Sequence, residues 1–317
     1  MKHSLIRYLQ KSIFHVGNSF EPRKTQTEPY HSEKYLYWPD VNYGSKYPNG
    51  YLDIYTQPDA RENRHATLFY VHGGGYTWGD KIEGDPNAKG AETQWFFEAF
   101  LNAGYNVVSM NYAFAPEYHY PIPIIQMHEA IGYLKEHAGE HGLDMHQVIL
   151  CGSSAGGQLV GQFAALQTNS DYADEMGIVP VLQSAELKAI LLNSALLDNE
   201  RFGKTDNAVV SWLFAKCGRA YFNCEQLPGN EQVKQSNVIT HATDEFPPAF
   251  ISDGNFGTFT DQARDLARKL EQIGVDTTVN FHERKEVRLP HGFENRKDTY
   301  GLDNMEKMLQ FMKKHTT

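Results

Sequence analysis

The run Gly152-Ser153-Ser154-Ala155-Gly156 sets a serine hydroxyl between two glycines, the G-x-S-x-G spacing of a nucleophile held on a sharp turn. Its chemistry would be attack on an acyl carbonyl. A serine hydroxyl is a poor nucleophile at neutral pH, so it needs a base. The oxyanion that forms needs donors aimed at it. The flanking residues supply the right context. Gln147-Val148-Ile149-Leu150 is a short apolar run that reads as a buried strand, and Gln158 to Leu166 carries apolar residues at helical spacing. Ser154 then stands at a strand-to-helix turn, where Gly152 and Gly156 keep the neighbouring positions small.

Two more segments complete the chemistry. Thr67-Leu68-Phe69-Tyr70-Val71-His72 is an early apolar strand that runs into Gly73-Gly74-Gly75-Tyr76. Such a loop offers backbone N–H groups with no side chains in the way, and the N–H of Ala155, next to the nucleophile, would add to them. Losing one such donor costs about two to three powers of ten in rate. The base is expected at His291, in Leu289-Pro290-His291-Gly292-Phe293-Glu294, after the strand-like stretch Asp276–His282 and before the last helix. His282, within that stretch, reads as a packed or surface residue. The chain has 14 histidines, most without a turn motif around them.

On these residues the chain resembles the α/β-hydrolases of the hormone-sensitive-lipase type, the bacterial esterase/lipase group. The matching segments are His72-Gly73-Gly74-Gly75, Gly152-Ser153-Ser154-Ala155-Gly156, His291-Gly292-Phe293, and Asn111-Tyr112-Ala113-Phe114-Ala115-Pro116-Glu117, which is similar to the family's Y-R-L-A-P-E segment. The resemblance runs from about Tyr51 to the C-terminus. It implies an esterase with Ser154 as nucleophile, His291 as base, and the N–H groups of Gly74, Gly75 and Ala155 as oxyanion donors, acting on small or short-acyl esters through an acyl-enzyme intermediate.

The chain departs from the family at the acid that orients the histidine. Phe246 to Gly254 reads as the expected strand, but the position three residues past Gly254, where relatives carry aspartate, is Gly257. Asp253, at the strand's end where relatives carry a small residue, is the first replacement. Asp261 is the second, although a carboxylate there also suits a helix N-terminus. Asp198, after the strand Leu187–Asn193, is the third. Two other functions use the same residues: an amidase or arylformamidase, and a non-catalytic binding protein on a hydrolase scaffold, which the loss at Gly257 motivates.

Composition agrees with a globular enzyme. The 317 residues suit one α/β domain over 1–317 with cap elements from 1–34 and 197–245. The net charge of −10 argues against a phosphate-backbone partner. Cys151, Cys217 and Cys224 show neither a disulfide framework nor zinc-site spacing; Cys217 and Cys224 could pair but equally suit a reduced cytosol, and no metal or other cofactor is expected. Cys151 reads as a small buried hydrophobe. No apolar run approaches the roughly 18 residues of a membrane span, and charges near the N-terminus interrupt any signal-peptide core. A cytoplasmic setting with a small-molecule ester as partner is expected, and homo-oligomerisation is left open. Leu5, Ile6, Leu9, Ile13 and Phe14 recur at helical spacing, predicting an amphipathic helix that packs on the body.

The remaining pattern alternates strand and helix, predicting a mostly parallel sheet covered on both faces. Asn49-Gly50 predicts a hairpin turn within 35–55. Helices are expected over 90–103, 122–137, 260–273 and about 303–314, and a strand over 106–112. Tyr76 and Trp78, just past the glycine loop, and Trp212 are the candidate pocket residues; Trp212 lies in the stretch Leu197–Glu245 with Leu213, Phe214, Tyr221 and Phe222, which the resemblance implies as cap and pocket lining and which reads equally as the core of a small helical lobe. The polar loop Asp80–Pro86 is a further segment in reach of a substrate, or a solvated surface loop.

Overall fold

The computed structural model describes residues 3–20, 28–81 and 94–316. Within them, a nine-stranded sheet runs β1 (Tyr30–His31), β2 (Leu36–Asn42), β3 (Tyr51–Thr56), β5 (Asn106–Met110), β4 (Ala66–Val71), β6 (Asp144–Ser153), β7 (Leu187–Asn193), β8 (Ala249–Asp253), β9 (Thr277–Phe281) in spatial order. β1, β2 and β3 enter antiparallel, and β3 pairs antiparallel with β5. From β5 to β9 every pairing is parallel.

The helices are α1 (Ser4–Leu9), α2 (Gln94–Asn102), α3 (Ile122–His141), α4 (Ala155–Thr168), α5 (Ser170–Met176), α6 (Ala208–Tyr221), α7 (Glu231–Gln235), α8 (Val238–His241), α9 (Thr260–Gln272) and α10 (Thr299–His315), with one π-helical turn over Gln10–Phe14 after α1. The expected helix over 90–103 is seen as α2, and its predicted start lies outside the described residues. α3 runs longer than expected, to His141, and ends on left-handed Gly142. α10 starts earlier, because Asp298 caps the N–H groups of Tyr300 and Gly301.

The sheet is apolar on both faces, and strand alternation divides its side chains into two cores. Leu68, Tyr70, Ile149, Cys151, Leu191 and Phe250 face α2 and α10. Phe69, Val71, Leu150, Ile190, Leu192 and Ile251 face α3, α4 and α9. Each fully buried side chain of this size contributes about 1.5–3 kcal/mol. This double cover fixes the carboxyl ends of β4, β6 and β8 along one edge of the sheet, with β7 between β6 and β8, where ligands sit in such sheets.

The N-terminal helix is tied to the same end. Gln10 is buried, and its Nε2 donates to Thr77 O at 2.7 Å and Ala115 O at 2.8 Å. The π turn brings Phe14 against Trp78, with ring centroids 4.5 Å apart. The apolar stripe read from the sequence is thus only partly inward: Ile6 is buried, while Ile13 is exposed. None of the three cysteines forms a disulfide. No helix among the described residues is long and apolar enough to cross a membrane.

Candidate active site

Ser154 closes the junction of β6 and α4 with φ 55° and ψ −118°, a conformation that L-residues rarely adopt. The glycines two residues to either side let the backbone pack this closely. A Cβ on Gly156 would lie 2.1 Å from Val71 O, so β4 and the start of α4 meet only because that position has no side chain. Ala155 is the first residue of α4, and its N–H has no acceptor within the helix.

The glycine loop after β4 folds on itself: Thr77 N and Trp78 N both donate to Gly74 O, at 3.0 and 3.2 Å. Gly74 has φ 99°, and a Cβ there would lie 1.9 Å from Trp78 O. Tyr112, from the segment after β5, braces the loop: its hydroxyl donates to His72 O and Gly73 O, and its ring stacks on His72 at 4.4 Å. Burial pushes His72 down to about 4, so it is neutral at pH 7 and acts as a packing piece.

His291 follows β9 on a loop that returns to the strand ends. Its Nε2 lies 2.9 Å from Ser154 Oγ. The rings of Phe214 and Phe259 approach its imidazole edgewise, with centroids 5.2 and 5.3 Å away. Burial pushes the imidazole down to about 4. Its Nδ1 meets no carboxylate: it lies 2.9 Å from Thr258 Oγ1, and Thr258 in turn donates to Asp253 Oδ1 at 2.5 Å. Asp253 is fully buried at the end of β8 and also accepts from Phe259 N. Burial raises its carboxyl to about 7.

The three acid candidates therefore separate. Asp253 reaches the histidine through one hydroxyl. Asp261 and Asp198 do not reach it: both bind the guanidinium of Arg201, at 2.9 and 2.7 Å, and Asp198 also caps Glu200 N. The departure at Gly257 is a rebuilt loop rather than a missing side chain. Gly257 has φ 63°, its N–H donates to Asp206, and a Cβ there would face Val210 and Asn207 of the α6 start, not His291.

Ser154, His291 and the glycine loop open into one cavity of about 340 Å³, lined further by Trp78, Phe214, Cys217 and Asn295. Of the pocket residues read from sequence, Trp78 lines it and two do not. Tyr76 is fully buried beneath the loop, stacked on Tyr221 at 3.8 Å and donating to Gln158 and Asn199. Trp212 is half exposed on the outer face of α6, near Lys216. The helix phase explains the exchange: Phe214, Cys217 and Tyr221 recur at spacings of three and four and face inward, and Trp212 falls on the opposite side. Of the Asp80–Pro86 loop, residues 82–86 lie outside the described residues. His282, just past β9, packs edgewise on Phe293 and Tyr300.

Sequence reading missed Thr258, Cys217 and Glu294, and it named Phe214 among the aromatics of the 197–245 stretch while choosing Trp212 as the pocket residue. The spacing of Phe214, Cys217 and Tyr221 was a usable signal. Nothing local marked Thr258. Glu294 is buried three residues after His291. Its Oε2 accepts from Ser194 at 2.9 Å, and burial, with the charge of Asp253, raises it to about 8. Among the described residues no group of His, Cys, Asp and Glu is arranged to hold a metal ion.

Comparisons with known proteins agree with this architecture. Residues 68–295 match the family model described as alpha/beta hydrolase fold. A probable carboxylic ester hydrolase of Mycobacterium tuberculosis, LipM, is 24% identical over 245 residues, which is 76% of this chain and 53% of that protein, so the chain spans about half the length of that relative. Esterase B of Lactobacillus rhamnosis superposes with a TM-score of 0.72 at 18% identity, covering 91% of this chain and 88% of that one. An esterase from the bacterial hormone-sensitive lipase family superposes with a TM-score of 0.65 at 20% identity over 90% of this chain and 86% of that one. The chain belongs to the α/β-hydrolase fold family, in keeping with the hormone-sensitive-lipase-like pattern of its motifs.

Proposed function

We propose that this protein is a serine hydrolase of small carboxylic esters. The observation that carries the reading is the 2.9 Å contact between Ser154 Oγ and His291 Nε2 inside a cavity walled by Gly73, Gly74 and Gly75. His291, neutral at pH 7, takes the Ser154 proton as the oxygen attacks the ester carbonyl. The N–H groups of Gly74, Gly75 and Ala155 hold the oxyanion. His291 then protonates the leaving alcohol, and water releases the acyl group by the reverse path. Relatives named as ester hydrolases support the reaction class. A cavity of about 340 Å³ lies at the small end of ligand sites, which favours short acyl groups. Phe214 and Trp78 give it apolar walls. Cys217, pushed up to about 12 by burial, contributes bulk and no thiolate. The N-terminal helix and α6, which touch each other above the site, form the cap.

The test is hydrolysis of p-nitrophenyl esters from acetate to dodecanoate. Acetate and butyrate are expected to turn over fastest. Ser154→Ala is expected to lower kcat/KM by roughly five powers of ten while leaving the fold intact. Turnover retained in Ser154→Ala would overturn the reading.

A further inference from the structure

We infer that Thr258 is a positioning residue that couples Asp253 to His291 and so fixes which nitrogen of the imidazole carries the proton. The inference deepens the serine-hydrolase reading and rests on it.

The Thr258 hydroxyl has one proton. Donated to Asp253 Oδ1, it leaves Thr258 Oγ1 only as an acceptor toward His291, 2.9 Å away. His291 must then carry its proton on Nδ1, and Nε2 turns a lone pair to the Ser154 hydroxyl. The chain of donors runs one way, from Ser154 through His291 and Thr258 to the carboxylate. Protonating Asp253 lets the chain run the other way, because the carboxyl then has a proton to give as well as a lone pair to accept with. In that direction the carboxyl O–H donates to Thr258, whose own proton turns to Nδ1, and the imidazole proton must sit on Nε2. That tautomer cannot accept from serine. A hydroxyl is thus a directional relay, set by the carboxylate behind it.

The surroundings leave this control to Asp253. His291 faces the Phe214 and Phe259 rings and Ser154, none of which titrates near neutrality. Asp253 is faced by Thr258, the Phe259 N–H, the Ser194 hydroxyl and the carboxyl of Glu294. Burial raises both carboxyls, and of the two only Asp253 is in contact with Thr258.

Two readouts on full-length protein test this. The first is kcat/KM for p-nitrophenyl acetate against pH. Wild type is expected to lose activity below about 7, where Asp253 takes up its proton. Thr258→Val, which keeps the shape and removes the hydroxyl, is expected to lose roughly 10²-fold in kcat with little change in KM. Its residual activity should persist down toward about 4, the range of His291 itself. Thr258→Ser should restore both rate and profile. The second readout needs no turnover: ¹⁵N-histidine NMR of the inactive Ser154→Ala protein, with His291 identified by loss of its signals in His291→Asn. The Nδ1–H tautomer is expected at pH 8.5, mixed tautomers at pH 6, and no such pH-dependent change with Thr258→Val added. An unchanged rate and pH profile in Thr258→Val, or a tautomer indifferent to Thr258, would overturn the relay. Absence of ester turnover in wild type would sink the esterase reading, and the NMR comparison would still decide the role of Thr258.

Discussion

The carboxylate pair Asp40 and Asp53 and the pair Asp253 and Glu294 are both almost wholly buried, and they are treated in opposite ways. Asp40 and Asp53, on β2 and β3, share the ammonium of fully buried Lys81, at 2.5 and 3.0 Å. Asp53 also accepts from Tyr37 and from Asp40 N. Asp253 and Glu294, beside the site, have hydroxyl and backbone donors but no ion pair with a lysine or arginine among the described residues. Their carboxyls are raised to about 7 and about 8. A carboxylate pair that shares a buried cation is a structural device, holding the start of the sheet to the segment after the glycine loop. A cluster without a cation titrates near neutrality, and such groups gather where chemistry is done. The difference shows which acidic pair belongs to structure and which to the site.

The largest expected effect breaks the first pair. Lys81→Met removes the buried ammonium that Asp40 and Asp53 share and is expected to destabilise the fold by about 3–5 kcal/mol in urea titration. Its pH–rate profile should stay that of wild type in whatever fraction folds. The next effect falls on the second pair and is kinetic. Asp253→Asn is expected to lower kcat by roughly 10²-fold. Its stability at pH 8.5 should hold or rise, because a buried anion has gone.

The smallest effect sharpens the contrast. A carboxyl raised by folding keeps a proton that the unfolded chain gives up near pH 4. Its stabilisation is whole below that point and is lost as pH rises toward the folded value. For Asp253 and Glu294 the window is about pH 4 to 8. Glu294→Gln should flatten the decline across this window, gaining on the order of 1–2 kcal/mol at pH 8.5 relative to wild type. Equal pH slopes in both proteins would place Glu294 with the structural pair instead.

Most of the sheet was legible in the sequence because its strands are short apolar runs punctuated by glycine and proline. The elbow was legible because its glycines are sterically required, as the Gly156–Val71 contact shows. The early start of α10 escaped notice because a single capping aspartate, Asp298, sets it. Tyr76 and Trp78 lie two residues apart, yet one faces the core and the other the cavity, and composition does not distinguish them. The link from Asp253 to His291 was half legible. A carboxylate at a strand end is a sequence signal, but the hydroxyl between it and the histidine depends on how the 254–258 loop turns around Gly257, and no local pattern marks that path.

Fluorophosphonate labelling followed by peptide mapping is the most direct test of Ser154 as the nucleophile. The expected result is one adduct per chain on Ser154, none on the adjacent Ser153, with labelling abolished in Ser154→Ala and slowed in His291→Asn. Labelling at another residue, or none in the folded wild-type protein, would contradict it.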